Sequence, residues 1–305
     1  MRTRIVVGSR GSRLALIQTG SVMAKIGEVN PCIQMSLQKI ITAGDRDHHT
    51  QLDRMGVAIF VKELEEALLD GRIDIAVHSL KDVPTEIPRG LGLLAVTERL
   101  DPRDALVAKS SLDELAPGSR IGTGSLRRSV QLTRLRPDLE VCSIRGNIDT
   151  RLKKVVSGEV DGIIVAVAAL LRLGWEDKIA GYLPVEHFLP AVGQGTLVVE
   201  SRLDDKEVID LILPINHLPT WQSVMAERAF LRALGGGCRA PIAALGTVNS
   251  STLKLEGLVA SISNKDILHS YVEGSTNFPE EVGVRLAQKL LDMGASKFIA
   301  EVKGK

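Results

Sequence analysis

The sequence is poor in aromatic residues and carries almost no net charge, and both shortages argue against nucleic-acid binding. Phe, Tyr and Trp make up 3% of the 305 residues, too few for the stacking platforms that hold single-stranded nucleic acid. Lys and Arg number 38 against 37 Asp and Glu, so the formal net charge is +1. We therefore expect no nucleic-acid partner, and any anion recognition must be local.

Long apolar runs and paired cysteines are also lacking. The longest apolar run, residues 162–171, is too short to cross a bilayer, and the N-terminus lacks the apolar core of a signal peptide. The three cysteines, Cys32, Cys142 and Cys238, are an odd number without metal-type spacing. These features predict a cytoplasmic protein with free thiols, no membrane partner and no metal site. We expect Cys32 and Cys142, which have β-like neighbours, to pack in the core.

Short β-rich runs alternate with helical patterns, which favours an α/β fold with mainly parallel sheets. Residues 4–9 predict a first strand, and Ser12 is placed to cap the next helix. Residues 59–71 predict a helix that ends at Gly71, with a buried strand directly after it. The same order of helix, Gly, Asp and strand recurs at residues 150–167. This suits two related domains facing each other across a cleft, although chance similarity between such units is common.

The last part of the chain has a different pattern. From residue 242 onward it alternates like an antiparallel sheet, and one amphipathic helix follows, with Pro279 near its start and Gly294 at its end. This predicts a small third domain, and Cys238 lies at its entrance. Three glycines and a proline surround that cysteine in LGGGCRAPI (234–242), where the backbone can bend and another group can come close.

Basic side chains recur where predicted strands meet loops or helices, in GSRGSRLAL (8–16), AVHSLKDVPTEIP (76–88), IGTGSLRRS (121–129) and SIRGNIDTRL (143–152). Such junctions gather at one end of an α/β sheet, and guanidinium groups bind carboxylates or phosphates in bidentate pairs. Arg127 and Arg128 in a first helical turn oppose the helix dipole, which a bound anion would explain. Plain alternatives are a solvated basic helix start here and an ordinary surface Lys–Asp pair at Lys81 and Asp82. Together the four junctions predict a ligand with several anionic groups.

Six motifs in this order, AVHSLKDVPTEIP, DPRDAL, IGTGSLRRS, IRGNIDTRL, LPAVGQG and GGGCRAPI, closely resemble the porphobilinogen deaminase (hydroxymethylbilane synthase) family over nearly the whole chain. The resemblance implies a transferase of tetrapyrrole biosynthesis. It would join four porphobilinogen molecules head to tail, releasing ammonia and then the linear tetrapyrrole hydroxymethylbilane. The resemblance also implies a covalent dipyrromethane cofactor, held by Cys238 through a thioether.

The family also implies an architecture of three domains. The first two resemble type II periplasmic-binding-protein lobes around a cleft, and the third is a small α+β domain with an antiparallel sheet. The expected bounds are 1–97 with 196–215, then 98–195, and finally 216–305, which carries the cofactor cysteine. We expect a monomer that hands its product to uroporphyrinogen-III synthase.

Site residues carry over position by position. Asp82 corresponds to the catalytic carboxylate, which acts either ionised, stabilising a positive charge, or as a neutral acid. The remaining positions fall into two groups: the cofactor is held by Ser79, Lys81, Asp82, Thr123, Ser125, Arg127, Arg128, Arg145 and Gly146, and substrate by Arg10, Ser12, Arg151 and Gln194.

The sequence departs from the family at several positions outside these groups, among them Lys178, where many members have a chain-contacting arginine. Two rival functions are a non-catalytic two-lobed anion-binding protein, in which Cys238 is structural, and a nucleic-acid binder. The first leaves Asp82 without a role, and the second conflicts with the charge and the few aromatics.

Overall fold

The computed structural model describes residues 2–41, 61–235, 240–263 and 265–303. The chain forms two compact units, Met1–Leu100 with Thr196–Trp221 and Asp101–Gly195 with Gln222–Lys305. The division into three domains stays a prediction.

Strands and helices alternate through most of the described chain. The strands are β1 (Arg4–Arg10), β2 (Gln34–Ile40), β3 (Ile75–Ser79), β4 (Leu91–Val96), β5 (Asp104–Ala108), β6 (Arg120–Gly122), β7 (Glu140–Cys142), β8 (Gly162–Ala166), β9 (Gly181–Leu183), β10 (Leu197–Arg202), β11 (Ile242–Asn249), β12 (Thr252–Ala260) and β13 (Ile267–Ser275). The helices are α1 (Arg13–Val29), α2 (Lys62–Leu69), α3 (Leu126–Leu135), α4 (Ile148–Val156), α5 (Val167–Leu173), α6 (Lys206–Ile212), α7 (Leu218–Leu234), α8 (Pro279–Asp292) and α9 (Ala295–Lys303). Short 3₁₀ turns span Leu80–Asp82, Glu176–Lys178 and Leu213–Ile215.

The sheet of the first unit has the order β2-β1-β3-β10-β4. Its first three strands are parallel, whereas β10 runs antiparallel to both of its neighbours. One face packs on α1 and α6 through residues such as Val7, Ile75 and Val208, and the other packs on α2 through Ala76 and Leu64. Four of the five strands therefore run in the same direction, and β10 alone is reversed because the chain returns late from the second unit and inserts it in the opposite direction.

The first sheet of the second unit repeats this plan in the order β7-β6-β8-β5-β9. Here β6, β7 and β8 are parallel, and β5 runs antiparallel to β8 and β9. The recurring sequence pattern corresponds to α2 followed by β3 in the first sheet and to α4 followed by β8 in the second. Both β3 and β8 are the third strand in the order of their sheet. The α/β class predicted from the sequence is confirmed.

The two halves of the repeat also share their local hydrogen bonds. Gly71 and Gly158 follow the helices with φ of +70° and +75°, a backbone conformation that favours glycine. The Asp74 carboxylate accepts from the Val6 amide at 2.7 Å, and Asp161 accepts from the Arg120 amide at the same distance. Because each Asp ties the start of a central strand to its neighbour, the similarity noted in the sequence reflects a shared structural unit.

The third sheet is antiparallel, with the order β11-β12-β13, as the alternating sequence predicts. Its inner face buries Leu255 and Val259 against Phe230 of α7 and Leu286 of α8. Helix α8 begins at Pro279 and lies just before Gly294, as expected. None of the described helices is long and apolar enough to span a membrane.

The prediction that both non-motif cysteines are core residues is wrong for Cys32, which lies exposed in the turn before β2. Its β-like neighbours belong to the strand, but the chain has not yet entered the sheet at this position. Cys142 is half-buried at the end of β7 and packs at the margin of a core cluster.

Candidate functional site

In the first unit, five predicted site residues gather at one edge of the sheet. Strands β1 and β3 are parallel neighbours, so their carboxyl ends bring Arg10 and Ser79 to the same edge. Ser12 caps α1, and its hydroxyl accepts a hydrogen bond from the Ala15 amide at 3.3 Å. The Gln18 side-chain amide donates to the Ser79 hydroxyl at 2.9 Å.

Lys81 and Asp82 lie in a short turn that is fixed by apolar side chains. Leu80 and Val83 are 1% and 2% exposed on either side of the pair. The Leu80 amide donates to the Thr196 carbonyl at 3.0 Å, which ties the turn to the start of β10. Both charged side chains remain half-buried, so the turn presents an ammonium and a carboxylate at the edge of the sheet.

In the second unit, the predicted residues of the GTGSLRRS segment follow β6 directly. Ser125 caps α3, and its backbone N–H donates to the Thr123 hydroxyl at 3.2 Å. Arg127 and Arg128 are 4% and 7% exposed, which is rare for arginine unless it is paired.

Both arginines are paired with one carboxylate, that of the fully buried Asp104 on β5. Arg127 Nη1 lies 2.8 Å from Asp104 Oδ2, and Arg128 Nη2 lies 2.7 Å from Oδ1. These two guanidinium groups hold the pKa of Asp104 far below its usual range despite burial, and burial lowers the pKa of Arg127. The three groups together carry one excess positive charge in a buried place, which is the electrostatic condition for binding a carboxylate.

The next predicted residues surround the turn between β7 and α4. Gly146 has φ of +98°, and a Cβ there would lie 2.7 Å from Thr150 Cγ2, so the turn requires glycine. The Arg151 guanidinium donates to the Gly146 carbonyl at 2.9 Å, which folds this arginine back over the turn. Arg145 is half-buried beside it. Because β6 and β7 are parallel neighbours, this turn and the GTGSLRRS segment share one edge of their sheet.

Comparison with known proteins identifies the family. A family model described as porphobilinogen deaminase, dipyromethane cofactor binding domain, matches residues 5–210, and the C-terminal domain of the same family matches residues 221–292. The porphobilinogen deaminase of Pelobacter propionicus is 46% identical, covering 97% of this chain and 96% of that protein. The one from Desulforamulus reducens is 44% identical over 99% of both chains. This chain belongs to the porphobilinogen deaminase family.

Two solved structures share part of the chain path. The methionine-binding protein MetQ has a TM-score of 0.46 and 14% identity, covering 72% of this chain and 91% of that one. Immunogenic lipoprotein A from Vibrio vulnificus has a TM-score of 0.44 and 14% identity, covering 71% and 96%.

A further predicted site residue of this porphobilinogen deaminase family chain, Gln194, is also buried. Gln194 is 1% exposed, and its side-chain amide donates to the Pro102 carbonyl at 2.8 Å and to Asp104 Oδ1 at 2.9 Å. It therefore adds to the Asp104 cluster within the second unit. Its predicted contact with substrate stays a prediction.

Sequence reasoning missed two residues of the second unit. Asp104 stands in the quoted motif DPRDAL, yet nothing local indicated that it would meet arginines 23 and 24 residues further along the chain. Arg172, at the end of α5, donates to the Gly195 carbonyl at 2.8 Å, and burial lowers its pKa to about 10. A basic residue in a last helical turn is ordinary, so its sequence position carried no signal.

Two further positions complete the comparison with the sequence. Cys238, the predicted cofactor attachment, lies outside the described residues. Lys178, which stands where many family members have arginine, is close to the Asp177 carboxylate at 3.2 Å, and its ammonium lies 5.9 Å from the Trp175 ring centre.

Proposed function

We propose that this chain is a hydroxymethylbilane synthase in which Asp82 is the catalytic carboxylate and Cys238 the attachment point of the dipyrromethane cofactor. The reaction joins four porphobilinogen molecules head to tail and releases one ammonia for each, and water then frees the linear tetrapyrrole. The observation that supports this assignment best is the buried excess of guanidinium charge at Arg127 and Arg128, in a chain of this family.

The residues of the second unit suit the carboxylate groups of a dipyrromethane. Arg127 and Arg128 supply the charge, while Thr123, Ser125 and Arg145 supply further hydrogen-bond donors at the same edge of the sheet. When bound, the cofactor supplies a pyrrole carbon that starts the chain. The role of this chain's own residues is to neutralise acetate and propionate groups and to hold them in register.

Asp82 acts on the charge that develops as ammonia leaves. An aminomethylpyrrole that loses ammonia becomes an azafulvenium-like cation, and an ionised carboxylate beside the pyrrole N–H stabilises it. The buried Leu80 and Val83 prevent the turn from shifting, so the carboxylate is set in place before the reaction begins. Arg10, Ser12, Arg151 and Gln194 are assigned to substrate and to the lengthening chain.

The catalytic assignment is tested with Asp82→Asn. The variant has nearly the same shape, so we expect it to fold and to consume porphobilinogen about 10²-fold more slowly, on the scale of lost electrostatic groups. Turnover is measured by the release of ammonia, and folding by the thermal transition. Turnover close to that of the wild type would remove Asp82 from this role.

The attachment is tested by the intact mass of freshly purified Cys238→Ser. We expect the wild type to weigh one dipyrrole more than its amino acids, and the variant to lack this added mass. Cys32→Ser is the matched control, because Cys32 is exposed and should leave the added mass unchanged. A dipyrrole still attached to Cys238→Ser would contradict the assignment.

We also propose that the protein is cytoplasmic and monomeric and that its product passes to uroporphyrinogen-III synthase. Support for a reducing compartment comes from the odd number of cysteines without a disulfide-type pattern. Sedimentation velocity tests the oligomeric state, and a single species of about twice the chain mass would contradict a monomer.

A further inference from the structure

A buried cluster of two carboxylates and an imidazole lies in the first unit, and the proposed mechanism does not use it. It consists of His78 on β3, Glu200 on β10 and Glu65 on α2, which we call the buried trio. His78 Nε2 lies 3.0 Å from Glu200 Oε2, with the side chains 3% and 0% exposed. Glu65 is 8% exposed. Because His78 immediately precedes Ser79 and is four residues before Asp82, the trio lies at the base of the predicted catalytic turn.

The sheet register explains why these side chains meet. In the antiparallel pair of β3 and β10, Ala76 is opposite Glu200 and His78 is opposite Val198. His78 and Glu200 are therefore diagonal neighbours on one face of the sheet. That face packs against α2, the helix that supplies Glu65. Three elements distant in sequence thus converge on the last residues of β3.

The buried trio contains two carboxyl groups but only one basic group, the His78 imidazole. Glu65 Oε1 and Glu200 Oε1 are buried without a hydrogen-bond partner among the residues that the structure describes. Burial and the neighbouring Glu200 charge raise the pKa of Glu65 to about 7, and His78 acts in the opposite direction. The other charged residues on the packed elements are Lys62, Glu63 and Glu66 on α2, Arg4 and Arg10 on β1, and Arg202 on β10, while β4 has none.

Stability alone does not account for such a cluster. A buried ion pair costs desolvation energy, and apolar side chains of the same volume often stabilise a protein equally well. The pair does fix geometry, because a hydrogen bond between two buried side chains sets the relative position of the strands that carry them. In this protein the two strands are β3, which leads into Lys81 and Asp82, and β10. The carbonyl of Thr196, the residue before β10, accepts a hydrogen bond from the Leu80 amide.

We propose that His78 and Glu200 are positioning residues for Asp82, and that Glu65 on the packed face of α2 is the third member of the cluster. The hydrogen bond clamps the end of β3 to β10, so the turn begins from a fixed backbone. Asp82 is thereby held in the position from which its carboxylate stabilises the developing cation. This inference rests on the proposed role of Asp82.

The first test is Glu200→Gln, which keeps the shape but removes the charge that holds His78. A shifted catalytic group affects the transition state more than the bound substrate, so we expect kcat to fall about tenfold or more while KM changes less than twofold. The dipyrrole mass should remain. Ser201→Ala is the matched control: it is the next residue on β10, it is also 0% exposed, and its hydroxyl donates to the Asp74 carbonyl. We expect its kcat within twofold of the wild type.

A wild-type kcat in folded Glu200→Gln would overturn the proposal, and so would an equal loss in Ser201→Ala. Glu65→Gln provides a second measurement that does not depend on the first variant folding. The wild-type kcat profile should contain one ionisation near pH 7 that is absent from Glu65→Gln; identical profiles would contradict the cluster's role. Asp82→Asn is assayed in parallel, because full activity there removes the proposed catalytic residue, whereas a loss there with none in Glu200→Gln refutes the positioning alone.

Discussion

Replacing Glu65 by Gln should change how the stability of the first unit depends on pH. The folded protein holds the Glu65 proton more tightly than the unfolded chain, because burial and the Glu200 charge raise its pKa from 4.5 to about 7. The stability that this proton supports is therefore complete below pH 4.5 and is lost as the pH rises to 7. Glutamine keeps the shape of the protonated side chain and has no proton to lose.

The size of the effect follows from the size of the shift. Each pKa unit corresponds to about 1.4 kcal/mol, so the total loss in the wild type is about 3.5 kcal/mol, and about 2.5 kcal/mol of it falls between pH 5 and pH 8. Over that range we expect the free energy of unfolding of Glu65→Gln to rise relative to the wild type by this amount. Groups elsewhere titrate equally in both proteins and cancel in the difference.

Urea unfolding followed by tryptophan fluorescence measures this difference. The chain has two tryptophans, and Trp221 lies in the first unit, so a Trp175→Phe background reports on that unit. Glu66→Gln is the matched control, since this neighbouring carboxylate on the same helix is exposed and pairs only loosely with Lys62 at 3.8 Å. Parallel stability curves for Glu65→Gln and the wild type between pH 5 and 8 would refute the reasoning.

Two further substitutions test the second unit. Asp104→Ala leaves the buried guanidinium groups of Arg127 and Arg128 without their counter-ion, and we expect a loss of about 3–5 kcal/mol in the free energy of unfolding; a loss below about 1 kcal/mol would show that the pairing matters little. Gly146→Ala forces a side chain into a φ of +98° and against Thr150, so we expect a loss of about 1–3 kcal/mol by urea unfolding, while Gly181→Ala, where a Cβ meets open space, should be nearly neutral.

The candidate site was predictable to the extent that it depends on local order. Strand ends followed by Ser, Arg or Lys indicated the junctions, and Ser12 caps α1 as the sequence predicts. The position of Cys32 was predicted wrongly because neighbouring residues reveal a strand's composition but not the residue at which the sheet begins.

The partners of the charged residues could not be predicted, because they come from distant segments. Arg127 and Arg128 on α3 meet Asp104 on β5, and His78 meets Glu200 across 122 residues of sequence. No periodicity within one segment specifies such a meeting, since it depends on the order and direction of strands. The buried excess of positive charge depends on the position of β5, which carries Asp104.

The sequence by itself determined the alternation of strands and helices, the turns that need glycine and the family. These depend on neighbours within one or two turns of the chain, where backbone sterics and capping act. The tertiary structure decided that β5 and β10 run antiparallel to their neighbours, that one carboxylate serves two arginines, and that the buried imidazole of His78 pairs with Glu200. Burial sets the charge state and the orientation of those groups, and burial exists only after distant segments have packed together.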